Sequence, residues 1–169
     1  MQEISFRKHI LPLKDKLFRL ALRITMNKAE AEDVVQDTLI RVWNKRDEWK
    51  QLESLEAYCF TVAKHLAIDR SERKDACTES LPTDGEYPEE AFTPYDRLVS
   101  KERLLLIQRL MNDLPQKQRL LMHLRDVEGK SYKEMVDLCN MTEEQVKVNL
   151  FRARQKVKQR FIDIDNYGL

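Results

Sequence analysis

The chain has 169 residues, a near-neutral formal charge of +1, 42% hydrophobic and 35% charged residues, and only three glycines. That is enough apolar material for a core under a heavily charged surface, and with no strand-like alternation it points to an all-α fold of one domain or two small ones. No apolar run approaches the roughly 18 residues that cross a bilayer, and Cys59, Cys77, Cys139, His9, His65 and His123 are scattered without metal-ligand spacing, so no metal or cofactor is expected and the thiols are expected free, in a reducing cytoplasm.

The first residues, MQEISFRKHILPLKDK, are too charged for a secretory signal. Phe6, Ile10, Leu13, Leu17, Leu20 and Ile24 recur at helical spacing as one core-facing stripe, which Pro12 should kink or break. A turn is expected at Asn27 and Lys28. Beyond it, Ala31, Val34, Val35, Thr38, Leu39, Val42 and Trp43 mark the buried face of a second helix, and Glu32, Asp33, Gln36, Asp37 and Arg41 its other face. A polar connection containing Trp49 follows, and then Ser54 caps a third helix through Leu55, Cys59, Val62, Ala63 and Leu66 that ends in DRSERK, residues 69–74.

Pro82, Pro88, Pro94 and Gly85 then interrupt any helical period. Asp75, Glu79, Asp84, Glu86, Glu89, Glu90 and Asp96 fall in this stretch with no Lys or Arg between them. It reads as an acidic, flexible linker over residues 76–96, separating a helical domain at 1–75 from another at 97–165. The acids either keep it extended and soluble or lie beside a nucleic-acid channel and mimic phosphate.

In the second domain, 97–111 is an amphipathic helix carrying Leu104, Leu105, Ile107, Leu110 and Met111, and Pro115 stands at the N1 position of the next. That helix carries Leu120, Leu121 and Leu124 and ends near Gly129. Ser131 with Glu134, and Thr142 with Gln145, form two capping boxes close together. They leave room for about two turns of helix and a short bend at Asn140, a residue type that tolerates positive φ. This is the helix-turn-helix layout, whose second helix enters the DNA major groove. From Thr142 to Arg160 that helix carries Lys147, Arg152, Arg154, Lys156, Lys158 and Arg160 against Glu143 and Glu144, a net +4 on a chain of +1. Val146, Leu150, Ala153 and Val157 form its buried stripe, and Lys147, Val148, Asn149, Phe151 and Arg152 point away. Taken alone, a basic helix is more often simply solvated; the two boxes and the bend favour DNA.

Two separated motifs, AEDVVQDTLIRVW at 31–43 and LPQKQRLLMHLRDVEGKSYKEM with VKVNLFRAR at 114–135 and 146–154, resemble the bacterial RNA polymerase sigma factors of the extracytoplasmic-function (ECF) group of the sigma-70 family. The resemblance covers nearly the whole chain and is to minimal members that keep regions two and four. It implies a region 2 helical bundle that grips a coiled coil on the β′ subunit of core polymerase and melts the −10 element. It also implies a region 4 helix-turn-helix that sits on the β flap and reads the −35 element. An anti-sigma factor, often anchored in the inner membrane, is a further implied partner, and no small-molecule substrate is.

Carried onto this sequence, the polymerase-binding face is Asp33, Gln36, Asp37 and Arg41. The −10 DNA-binding residues are Tyr58, Phe60, Lys64, His65, Arg70, Arg73 and Lys74, since holding unstacked bases calls for aromatics and cations. The −35 DNA-binding residues are Lys147, Val148, Asn149, Phe151, Arg152, Arg154, Lys156 and Lys158, with Arg suited to guanine, Asn to adenine and Lys to phosphate. Tyr58 stands where the family usually has Trp, His65 where it has Asn, and Asn140 where it has Gly.

Two other functions compete. A helix-turn-helix repressor or activator would use residues 1–75 to dimerise or sense and would bind its operator without polymerase. An enzyme would need a catalytic motif, and the sequence holds no H-E-x-x-H, no G-x-S-x-G and no phosphate-binding glycine loop.

Overall fold

A computed structural model describes residues 4–77 and 94–167; the centre of the expected linker, 78–93, lies outside the described residues. The chain forms two compact units, one built on the helices before the linker and one on those after it. Among the described residues there is no strand, and no helix is long and apolar enough to cross a membrane.

In the first unit the stripe from Phe6, partly buried, to Ile24 is one line carried by three kinds of helix. A π turn, Phe6–Ile10, passes into a 3-10 turn, Leu11–Leu13, and then into α1, Lys14–Thr25. Pro12 has no N–H to give the ladder, so the pitch changes there, yet Ile10, Leu13, Leu17, Leu20 and Ile24 all stay buried. The expected turn at Asn27 and Lys28 comes one residue earlier. Met26 takes the left-handed conformation (φ 55°) and donates its N–H to Leu22 O at 2.8 Å. Asn27 is then the N-cap of α2, Lys28–Asn44, its side chain accepting from Glu30 N at 3.0 Å. Ser54 accepts from Ala57 N at 3.1 Å and starts α3, Leu55–Cys77. The three helices pack on one another, burying Ala31, Val34, Val35, Thr38 and Val42 from α2 and Cys59, Phe60, Ala63 and Ala67 from α3.

Trp43 departs from expectation. It is half-exposed rather than core. Its ring meets Phe6 edge-on at 5.5 Å and Trp49 at 6.2 Å, and Arg46 stacks on it at 4.7 Å. Trp49 takes the buried place instead, in a 3-10 turn at Arg46–Gln51, with its indole N–H donated to Val42 O at 2.9 Å.

The second unit contains α4, Pro94–Asn112; α5, Gln116–Met122; a π turn, His123–Val127; α6, Tyr132–Cys139; and α7, Glu143–Tyr167. Its core joins Leu110, Met111, Leu114 and Met122 to Leu150, Ala153 and Val157 of α7. Leu104, expected on the buried face, is exposed, and Pro115 is the N-cap of α5 rather than its first helical residue. The buried Arg119 donates to Asn112 O at 3.2 Å and to Leu114 O at 3.4 Å, which satisfies the last carbonyl of α4 and one in the turn after it. Gly129 (φ 68°) turns the chain toward α6 in a conformation that glycine adopts without steric cost.

Candidate nucleic-acid interface

The helix-turn-helix is built by local bonds that the sequence encodes. Ser131 Oγ accepts from Glu134 N at 3.1 Å and meets the Glu134 carboxylate at 3.2 Å. Thr142 and Gln145 make a full reciprocal box, each backbone N–H donating to the other's side chain at 3.1 Å. Between them Asn140 adopts φ 53° and ends α6 with its N–H on Val136 O. Val146, Leu150, Ala153 and Val157 are buried, so the opposite face of α7 is presented outward.

That outward face has two characters. Arg152, Lys156 and Lys158 are exposed cations, and Val148 and Phe151 are exposed apolar side chains, Phe151 at 63%. Three other polar side chains are engaged within the unit. Lys147 lies 3.3 Å from Glu143 and 5.3 Å from the centre of the Tyr132 ring. Asn149 donates its amide to Gln145 O at 2.8 Å. Arg154 is forked onto Asp126, Nε to Oδ2 at 3.0 Å and Nη2 to Oδ1, and this hydrogen-bonded pair raises the guanidinium pKa further.

Arg125 and Tyr132 form a pair beside this face that local spacing does not reveal. Arg125 stacks on Tyr132 at 4.4 Å while donating to Lys130 O at 2.8 Å, so the ring touches a cation from the preceding turn and another, Lys147, from α7. Tyr132 belongs to no apolar stripe, and its place directly after the N-cap Ser131 was the only sequence signal.

In the first unit, Tyr58, His65 and Arg73 on α3 are spaced by two helical turns each and share one face, half-buried at Tyr58 and exposed at the other two. Lys64, on the same helix but off that face, departs from the expectation: it is buried rather than offered to DNA. Phe60 corrects the expectation: it is fully buried, among the largest core side chains, and has no surface to offer a base. The side chain of Lys74 lies outside the described residues.

Arg70 lies on the flank of α3 toward α2. Its Nη1 is 2.9 Å from Glu30 Oε2 and 3.4 Å from Asp33 Oδ2, and its Nη2 is 2.9 Å from Asp37 Oδ2. The Glu30 hydrogen bond is the largest cause of its raised pKa. Two sets of residues assigned to different partners therefore touch. The exposed side of α2 also holds Gln36, Arg41 and, unanticipated, Ile40 at 58% exposure beside the half-exposed Trp43.

Residues 10–76 match the family model "Sigma-70 region 2" and residues 104–157 the model "Sigma-70, region 4". The chain is 28% identical over 160 residues to the ECF RNA polymerase sigma factor SigW of Bacillus subtilis, covering 89% of this chain and 86% of that one. It is 30% identical over 138 residues to the ECF RNA polymerase sigma factor SigF of Caulobacter vibrioides, covering 82% and 74%. The sigma factor RpoE from Bartonella quintana, crystallised with the anti-sigma factor NepR, superposes with a TM-score of 0.76 at 22% identity over 95% of this chain and 98% of that one, a likeness of fold.

Proposed function

Because the chain belongs to the ECF group of the sigma-70 family, we infer that it binds core RNA polymerase and directs promoter-specific initiation of transcription. The observation that carries this is the pair of family matches in order on one chain, region 2 at 10–76 and region 4 at 104–157, the second ending in a basic helix-turn-helix. The chain acts as a specificity subunit and not as a catalyst, and, working on core polymerase, it acts in the cytoplasm. An anti-sigma factor is its expected partner, in line with the RpoE of like fold, which was crystallised in complex with the anti-sigma factor NepR.

Residues 1–75 take the role of region 2, 76–96 the linker and 97–165 region 4. The α2 face of Asp33, Gln36, Asp37 and Arg41 binds the β′ coiled coil. Ile40 adds an exposed apolar contact to its polar set, the mixture typical of an interface core and rim. Tyr58, His65 and Arg73, with Lys74, hold the opened −10 strand, where aromatic stacking and cations act together. On α7, Lys147, Val148, Asn149, Phe151 and Arg152 face the −35 bases, and Arg154, Lys156 and Lys158 hold the backbone.

Run-off transcription with core polymerase over a promoter library tests the function. The expected result is transcripts from a promoter subset that core polymerase alone does not use. Absence of any promoter-dependent transcript, together with tight operator binding by the protein alone, would favour a free-standing repressor or activator. Gln36→Ala with Asp37→Arg should weaken binding to core polymerase; an unchanged titration would remove the α2 assignment.

A further inference from the structure

We propose that Arg70 is a positioning residue for polymerase binding: it gathers the carboxylates of α2 into the arrangement that core polymerase meets. This rests on the reading of α2 as the polymerase-binding helix. Glu30, Asp33 and Asp37 occupy one side of α2, one helical turn apart in succession, and like charges at these spacings repel. Arg70 bonds all three from the neighbouring helix. The side chains are graded in exposure, Glu30 at 32%, Asp37 at 45% and Asp33 at 59%. Glu30 is thus the inner anchor, and Asp37 and Asp33 are held from behind with surface still open to solvent.

One guanidinium among three carboxylates leaves the cluster negative, so a cationic partner is still attracted to it. Removing Arg70 adds net negative charge but lets the carboxylates splay. Position and charge therefore make opposite forecasts for the same substitution. Arg70 also lies off the face shared by Tyr58, His65 and Arg73, and a DNA phosphate would have to draw it away from three charge-assisted bonds.

The test is titration of core polymerase, without DNA, by the fluorescently labelled full-length chain carrying Asp37→Asn, Arg70→Gln, Arg70→Lys or the Asp37→Asn/Arg70→Gln pair. Melting temperatures are measured in parallel, so that general loss of structure is recognised. Asp37→Asn and Arg70→Gln should each weaken binding by about fivefold to tenfold, and the pair should be weaker by much less than the product. Arg70→Lys, which keeps the charge, should recover part of the loss. Unchanged affinity in Asp37→Asn would sink the reading of α2 itself. A weakened Asp37→Asn beside an Arg70→Gln that binds as well as or better than the parent, or effects that simply multiply, would overturn the positioning role alone. Should Arg70→Gln fold poorly, Glu30→Gln loosens the anchor while keeping Arg70, Asp33 and Asp37. It should weaken binding about twofold to threefold, and unchanged affinity there counts equally against the proposal.

Discussion

Arg154 of α7 and Asp126, in the π turn before the helix-turn-helix, are joined by a two-point fork across 28 residues of sequence. Nε and Nη2 are the engaged donors. The pair holds α7 against the turn that precedes α6.

Asp126→Asn separates this role from simple charge. Removing an acid beside a DNA-binding helix should strengthen binding if only net charge matters. Losing the fork should loosen Arg154 and weaken binding to −35 duplex by roughly 1 kcal/mol, a fewfold change given how exposed the pair is. Fluorescence anisotropy with a −35 duplex measures this, and tighter binding by the variant would show that the fork positions nothing.

Phe151 is exposed on a helix whose opposite face forms the core. Its truncation should leave folding stability within about 0.5 kcal/mol of the parent. If its ring packs on a thymine methyl in the major groove, Phe151→Ala should cost about 1–2 kcal/mol in binding, and the loss should concentrate at one promoter position. Thermal melts and a binding series over −35 variants decide it. Equal losses on every sequence would remove Phe151 from base reading.

Much of this fold could be read from side-chain period. The stripes Ile10–Ile24 and Val146–Val157 are buried as their spacing requires, and both helix-turn-helix caps form the bonds their residue types invite. Period alone failed at the two neighbouring tryptophans. Trp49, in a polar connection, is buried with its indole N–H on Val42 O, and Trp43 is half-exposed. It failed at Phe60, where exposure and burial alternate along one helix, and at Leu104, on the edge of its stripe. Contacts between distant residues, such as Arg70 with Asp37 or Arg154 with Asp126, leave no trace in local spacing. For that reason the exposure of most candidate residues was legible in the sequence, and their pairing with distant residues was not.

Asn140 holds φ 53° at the bend. The left-handed conformation costs a residue with a Cβ about 1 kcal/mol relative to glycine, and Asn less than most. Asn140→Gly should therefore match or slightly exceed the parent in stability. Asn140→Val should lose about 1–2 kcal/mol, because a β-branched side chain is poorly tolerated at positive φ. Urea unfolding measures both. An Asn140→Val protein as stable as the parent would mean that the bend relaxes to another conformation, and its −35 binding should then fall.

Cys59 is fully buried in the first unit, and desolvation, with the nearby Glu56 charge second, pushes its thiol pKa from 9.0 up to about 11. The unfolded thiol ionises near its ordinary value while the folded one keeps its proton, so raising the pH favours unfolding. The stability this group contributes is complete below about pH 9 and is lost as pH rises through about 11. Cys59→Ala should lower stability through the cavity it leaves, but it should shrink the further loss between about pH 8 and about pH 10.5. Urea midpoints of both proteins at the two pH values isolate that difference, and an equal drop in each would show that the thiol makes no alkaline contribution. At about pH 8 the folded thiol should also resist iodoacetamide and react once urea exposes it, because the thiolate is the nucleophile and burial withholds it.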